Sequence, residues 1–119
     1  TTLPLGKVQA ADLARADLVV VGSWTEGLVV TRVHPAKAAV KWLERLPRMA
    51  GKPAAVFCTY AVAPKGTVTE MKAMLEAKGA TVLATAAFGG HGEPTNIPVP
   101  DVHNFAKAIA EAVRSLSYA

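Results

Sequence analysis

Three short, uninterrupted hydrophobic runs divide the chain, and each is followed by a longer segment with apolar residues at helical spacing. The runs cover residues 18–22, 55–59 and 81–85 and are rich in β-branched residues. A continuous apolar run of this length is typical of a strand that is buried on both faces, as in a parallel sheet. Their alternation with amphipathic segments predicts an α/β fold, a three-layer, doubly wound parallel sheet.

Two helices are predicted before the second hydrophobic run. Residues 10–16 are expected to form a short helical turn, with Asp12 as a possible N-cap. A longer helix is expected from about Pro35, a residue that suits the first helical position, to Leu46. The segment between the first strand and this helix is polar and contains glycine, so we expect a loop there.

Two further helices follow the second and third runs. Thr67 and Glu70 have the spacing of a capping box, which predicts a helix with Thr67 as its N-cap. Gly79 stands where the left-handed residue after such a helix belongs. The last helix is expected to begin near Asp101 as its N-cap. Four apolar residues are expected to line its buried side: Phe105, Ile109, Val113 and Leu116.

The predicted sheet is small for its class. Three parallel strands leave two apolar edges that favour pairing with another segment or chain. Residues 1–5 are a candidate for one additional strand. The 119 residues correspond in length to a single domain, which we expect to be incomplete at its N-terminus. The expected partners are therefore a completing N-terminal segment or a second copy that pairs through an open edge.

Composition and motifs exclude several function classes. The formal charge is +4, but the basic residues are scattered and form no dense run, so a nucleic-acid partner is not expected. No apolar stretch is long enough to span a membrane and no signal peptide is visible, which favours the cytoplasm. Cys58 lies inside an apolar run and is expected to be a buried, inert thiol. The wide spacing of His34, His91 and His103 predicts no metal site.

Residues 16–116 resemble the flavodoxin family. The motifs that carry the resemblance are the strand and Gly-Ser pair at 16–23 and the segments 51–57, 78–82 and 87–90. In that family the sheet order is 2-1-3-4-5, and FMN binds at the carboxyl ends of the strands. The resemblance makes the first run the third strand of the family. The family's first strand, first helix and phosphate-binding loop then have no counterpart here.

The resemblance implies two flavin-binding loops, of which the first follows the first strand. Its expected FMN contacts are Ser23, Trp24, Thr25 and Gly27. In the family an aromatic residue usually stacks on the isoalloxazine ring from the position that Glu26 occupies here. Trp24, two positions earlier, either covers the ring in its place or packs against the core. A carboxylate beside a flavin disfavours the anionic reduced form, so Glu26 is expected to point to solvent.

The second implied loop follows the second strand. Its expected contacts are Thr59, Tyr60 and Ala61, from which the family's backbone groups reach the pyrimidine edge and the N5 region of the ring. Tyr60 either contacts the ring or covers the core. The glycine-rich segment 89–92 follows the last strand rather than the first, so it is expected to be an ordinary connecting loop. His91, within it, lies on the ligand side of the predicted sheet.

The resemblance favours a flavodoxin-like FMN-binding electron-transfer domain, a flavoprotein of the oxidoreductase class. The redox chemistry would belong to the cofactor, so no catalytic residue is expected and the domain is interpreted as a carrier rather than an enzyme. Without the phosphate loop, FMN binding is expected to be weak or absent. Two alternatives stay open: a flavin-free interaction module, and a flavin-dependent reductase of a small substrate. Flavodoxins tend to be acidic, so the basic charge leaves the redox partner undefined.

Overall fold

The computed structural model describes residues 3–28, 31–35, 37–60, 66–89 and 99–117. A 3-10 turn (Leu5–Lys7) precedes four helices and four strands among these residues. In chain order these are α1 (Ala10–Arg15), β1 (Val19–Leu28), β2 (Thr31–Pro35), α2 (Lys37–Glu44), β3 (Pro53–Tyr60), α3 (Thr67–Ala77), β4 (Thr81–Gly89) and α4 (Val99–Ser117). The described residues contain no helix that is long and apolar enough to cross a membrane.

The sheet has the strand order β2-β1-β3-β4. Strands β1, β3 and β4 run parallel, and β2 pairs antiparallel with the end of β1. The three predicted strands and their common direction are therefore confirmed. They form an α/β sheet with helices on both faces, because β3 contributes residues to two separate sets of packed side chains, one on each face.

A β-hairpin replaces the loop that was expected after the first strand. Residues 23–27 belong to β1, and β2 pairs with β1 at residues 25, 26 and 28. The signal was present in the sequence, because the β-branched Thr31 and Val33 alternate with polar residues. Pro35 is consequently the last residue of β2 rather than the first of a helix, and α2 is shorter than predicted, ending before Leu46.

Three predicted helix starts differ from the observed ones. Helix α1 follows Gln9, whose backbone N–H donates to Asp12 Oδ2 at 2.9 Å, so Asp12 is the third residue of the first turn and not the N-cap. Gly66 is the N-cap of α3, and Thr67 is the first helical residue, with a buried side chain that caps nothing. Helix α4 begins at Val99, before Asp101.

Three further predictions have clear outcomes. Gly79 adopts a φ of +90° and closes α3 by donating its N–H to the carbonyl of Glu76, as its position predicted. Leu116 is 44% exposed, so the predicted apolar stripe of α4 stops short of the end of the helix. Residues 3 and 4 are not a strand and residue 5 begins the 3-10 turn, in keeping with Pro4, which cannot donate to a sheet. Residues 1 and 2 lie outside the described part of the chain.

The main core lies between the sheet and helices α1, α2 and α3. Its buried members are Leu13, Val21, Leu43, Leu46, Met49, Ala54, Val56, Met71, Leu75 and Ala80. Cys58 is also fully buried, which confirms the expected environment of the single thiol. Burial of aliphatic side chains on this scale is the main stabilising contribution to a domain of this size.

A cluster of three aromatic rings joins α4 to the opposite face of the sheet. The ring centroids of Phe57, Phe88 and Phe105 are 5.8–6.1 Å apart, with tilted and edge-to-face geometries that aromatic pairs favour. The Phe57 ring extends over β1 and rests directly on Gly22, its register partner. Gly22 therefore provides the space that the ring of Phe57 occupies.

Three basic side chains donate hydrogen bonds to backbone carbonyls at the C-termini of three helices. Lys52 Nζ donates to the carbonyls of Ala14 and Ala16 at the end of α1. Lys78 Nζ donates to the carbonyl of Glu44, the last residue of α2, at 2.9 Å. The Arg48 guanidinium donates to the carbonyl of Ala77, the last residue of α3, at 3.1 Å. A positive charge at this end of a helix satisfies unpaired carbonyls and opposes the negative end of the helix dipole.

We predict that Gly22→Ala lowers the free energy of unfolding by about 2 kcal/mol, since an added Cβ would overlap the Phe57 ring and overpacking has costs of this order. Urea denaturation followed by circular dichroism measures the change. Gly6→Ala is the matched control, because nothing lies within 4 Å of a Cβ at that position. The double variant Gly22→Ala with Phe57→Leu should recover part of the loss. A Gly22→Ala protein as stable as the parent would contradict the packing described.

Candidate functional site

The carboxyl ends of β1 and β3 lie side by side at one edge of the sheet. Ser23 is the register partner of Cys58, and Trp24 is the register partner of Thr59. Neighbouring strands are about 4.8 Å apart, so two segments 35 residues apart in sequence form one continuous backbone surface. The backbones of Ser23 and Trp24, expected from the sequence to act with residues 59 and 60, are therefore brought together with them.

The β1–β2 hairpin extends beyond this edge. Strand β1 continues past its last pair with β3, and its remaining residues pair with β2, in which Thr25 lies opposite Pro35 and Glu26 opposite His34. The ladder is irregular between Glu26 and Leu28, which places Gly27 at a bulge. Strand β2 lies beside α3. The hairpin therefore extends the sheet beyond the carboxyl ends of the parallel strands, on the side of α3.

Tyr60 is held against the end of β4. A Cβ added to Gly89, the register partner of Tyr60, would lie 3.1 Å from the tyrosine oxygen and 3.2 Å from the ring carbon that bears it. The ring is therefore turned towards β4, on the opposite side of β3 from β1. Gly89 permits this position because it has no side chain. No local sequence pattern indicates this contact, because it joins residues on two different strands.

Three polar side chains at this end of the sheet are buried. Ser23 and Thr59 are each 7% exposed, and Thr67, at the start of α3, is fully buried. The Thr67 Oγ1 atom has no hydrogen-bond partner among the residues that the structure describes. An unpartnered buried hydroxyl lowers stability because it has lost water and gained nothing in exchange.

Some expected site residues lie outside the part that the structure describes. Ala61 and His91 belong to this group, as does the glycine-rich segment after Gly89. His103 is exposed on α4. Among the described side chains, no group of three histidine, cysteine or acidic residues is arranged to hold a metal ion.

The basic side chains that bind the helix C-termini lie at the opposite end of the sheet, at the amino ends of the parallel strands. Lys52 directly precedes β3, and Lys78 comes shortly before β4, so both stand at the amino ends of the parallel strands. Together with Arg48 they are engaged by helix carbonyls. They are not placed to hold an anion at the carboxyl edge.

The chain matches no family model and no curated protein sequence. Among solved structures, it is similar to the solution structure of two-electron reduced flavodoxin from Megasphaera elsdenii, with a TM-score of 0.64 and 20% sequence identity. The match covers 90% of this chain and 74% of that chain. The chain therefore has a flavodoxin-like fold, as the motifs within residues 16–116 predicted.

We predict that Thr67→Val raises the free energy of unfolding by about 1 kcal/mol, because valine keeps the shape of the side chain and removes the unpartnered hydroxyl. Urea denaturation measures the difference. Thr81→Val is the control, since Thr81 is exposed and its replacement should change stability very little. A loss of stability in Thr67→Val alone would show that Oγ1 is hydrogen-bonded in solution.

Proposed function

We propose that this chain is an FMN-binding electron-transfer domain, a flavoprotein that acts with a redox partner protein. The observation that carries the proposal is the pairing of Trp24 with Thr59, which joins the ends of β1 and β3 at the carboxyl edge of a parallel sheet. Ligands of open α/β sheets bind at this edge. The flavodoxin-like fold supports the same position for the isoalloxazine ring.

The described residues fit the ring part of FMN. The ends of β1 and β3 offer backbone N–H and C=O groups from two adjacent strands, and Thr59 and Tyr60 lie at the start of the connection that follows β3. Packing of Tyr60 on Gly89 fixes where that connection begins. In the proposal Ser23, Trp24, Thr25 and Gly27 bind from the β1 side, and Thr59, Tyr60 and Ala61 from the β3 side. Bound FMN would supply the redox chemistry itself.

The phosphate part of FMN has no comparable site in the described residues. Flavin phosphates are commonly held by a glycine-rich loop and a helix N-terminus. Lys52, Lys78 and Arg48 are engaged at the amino edge, away from the proposed ring site. In the proposal the ring contacts supply the affinity, and we expect FMN and riboflavin to bind with similar, modest affinity.

The proposal includes an electrostatic effect of the Glu26 charge on a bound flavin. Its backbone lies in the hairpin, opposite His34 in β2, two residues beyond Trp24. A carboxylate near the ring disfavours negative charge on it, and salt weakens the effect unless the pair is buried. Replacement of Glu26 by glutamine should accordingly make the bound flavin easier to reduce.

A flavin-free interaction module is the second candidate. The observation that favours it is the outer edge of β1, where residues 19–22 pair with no other described strand. Nothing in the described residues favours a reductase over a carrier. Cys58 is the single cysteine of the chain and is buried, which is compatible with the cytoplasmic location that we retain as part of the proposal.

We predict that the purified chain quenches FMN fluorescence on titration and that Trp24→Leu raises the dissociation constant about threefold to tenfold, the range expected for loss of one aromatic contact. Trp42→Leu is the matched control. Trp42 lies beside the amino half of β1, remote from the carboxyl edge, so its replacement should leave affinity unchanged.

Two results would contradict the proposal. Equal weakening by the two tryptophan variants would mean that the effect is on stability rather than on the site. Failure of both this chain and a version extended at its N-terminus to quench FMN would favour the flavin-free module.

A further inference from the structure

The outward side of α2 carries three basic side chains at helical spacing. Lys37, Lys41 and Arg45 are all exposed, and each follows the previous one by four residues. Arg45 comes directly after the last residue of α2, but its backbone N–H donates to the carbonyl of Lys41 at 3.2 Å and so continues the helical turn. Residues four apart lie on one side of a helix, about 6 Å apart along its axis. The three side chains therefore form one surface, which we call the basic face.

The opposite side of α2 packs on the domain. Ala39 and Leu43 are buried there, and Leu43 belongs to the main core. Two residues correspond to about 200° of rotation around a helix, so Lys41, midway between them in sequence, lies on the side farthest from both. The basic face is therefore the solvent side of a helix whose position is fixed by packing.

Helix stability accounts for only part of this charge arrangement. Arg45 lies at the C-terminal end of α2, where the helix dipole favours a positive charge. Lys37, by contrast, is the first residue of the helix, where the dipole favours a negative charge, and the first turn contains no acidic residue. The two pairs of residues four apart also bring like charges together, which lowers helix stability. The spacing of the three cations therefore favours a role in binding.

The positive charge continues beyond the end of α2. Lys78 Nζ lies 2.9 Å from the carbonyl of Glu44, and Arg48 is exposed three residues after Arg45. The carboxylates of Glu44 and of Glu76, near the end of α3, are exposed in the same region. Within the described chain, no ion pair shorter than 4 Å joins either carboxylate to a basic side chain. The positive charges of this surface are therefore only partly neutralised by the protein itself.

The basic face begins near the carboxyl edge of the sheet. Strand β2 ends at Pro35, which lies opposite Thr25, the residue after the last pair of β1 with β3. Lys37 follows two residues later and begins α2. The other end of the helix contacts Lys78, which comes shortly before β4 at the amino edge. The face therefore extends from the level of the proposed flavin site to the opposite end of the sheet.

We propose that the basic face binds an acidic surface of a partner protein, whose carboxylates are spaced to meet Lys37, Lys41 and Arg45. Complementary charges orient two proteins as they meet and speed their association. That this partner exchanges electrons rests on the proposed function, because the face begins at the level of the candidate flavin site. The charge of the surface, and hence the acidic character of the partner, does not depend on flavin.

The chemistry of the face favours a protein over a nucleic acid or a lipid surface. Single-stranded nucleic acids are bound by aromatic stacking as well as charge, and anionic membranes by apolar side chains beside basic ones. The aromatic residue of α2, Trp42, packs against the core. The large apolar side chains that are exposed in the described chain all lie outside α2: Leu3, Val20, Val102 and Leu116. Glu44 would repel a continuous row of phosphates, whereas a protein can place a basic residue opposite it.

An NMR titration of the isotope-labelled chain without added FMN tests the proposal. The probe is an alanine-based helical peptide with glutamate at every fourth position, and the control peptide has glutamine at the same positions. We expect the glutamate peptide to shift the amide resonances of residues 37–45 and the glutamine peptide to leave them unchanged. Raising the salt from about 0.01 M to about 1 M should abolish the shifts, because it shortens the screening length from about 30 Å to about 3 Å.

Charge reversal at two exposed positions separates the basic face from net charge. Lys41→Glu should raise the dissociation constant of the glutamate peptide about fivefold or more, because an attraction becomes a repulsion at the centre of the face. Lys107→Glu, on α4, changes the net charge by the same amount and should raise it less than about twofold. Circular dichroism verifies that both variants fold.

Three outcomes would overturn the proposal. The first is equal weakening by Lys41→Glu and Lys107→Glu, and the second is an equal effect of the two peptides. The third is tighter binding at residues 37–45 of a single-stranded oligonucleotide with the same number of negative charges, which would make a nucleic acid the partner. FMN binding is measured separately: peptide binding without FMN quenching upholds the acidic partner and removes only its electron-transfer role, whereas FMN quenching without peptide binding refutes the basic face alone.

Discussion

The parallel pairing of β1 with β3 determines most of what this molecule presents to its surroundings. The register that places Gly22 beside Phe57 allows the phenylalanine ring to lie across β1 and to meet Phe88 and Phe105 on the far side. The same register places Trp24 beside Thr59 at the carboxyl edge. Packing on the α4 face and the backbone geometry of the candidate flavin site therefore depend on one alignment of two strands.

The two ends of the sheet serve different purposes. At the amino end, lysine and arginine side chains satisfy the terminal carbonyls of α1, α2 and α3. Part of the net positive charge is thereby explained by helix termination, and that part is weak evidence for an acidic partner. At the carboxyl end, the hydroxyl groups of Ser23, Thr59 and Thr67 are buried, and the Tyr60 ring packs on Gly89. The β1–β2 hairpin extends the sheet beyond this end. This is the end at which an open α/β sheet binds ligands.

Sequence patterns predicted the elements whose signals are local. The parallel strands followed from continuous apolar runs, and the end of α3 followed from Gly79, whose positive φ few other residues adopt easily. The hairpin differs from the prediction because glycine and polar residues at 23–27 are typical of a loop, although residues 31–34 alternate as a strand does. Helix starts were displaced because capping residues such as Asp12 have two possible positions in the first turn.

The candidate site was only partly predictable, because its geometry depends on contacts between distant residues. Resemblance located Ser23, Trp24, Thr59 and Tyr60, and strand register brought their backbones together. Nothing local to Tyr60 indicates that its ring lies on β4, since the cause is the glycine at position 89. The open edge of β1 was expected from the number of strands, but a groove beside it arises from the turn and helix that precede β1.

The most direct test of the account is a two-dimensional NMR titration of the labelled chain with FMN, in which every backbone amide is followed. We expect the shifts to concentrate at residues 23–24 and 59–60 together, since these backbones form one surface. Shifts centred on Lys52 and Lys78 at the opposite edge, or at only one of the two segments, would contradict it.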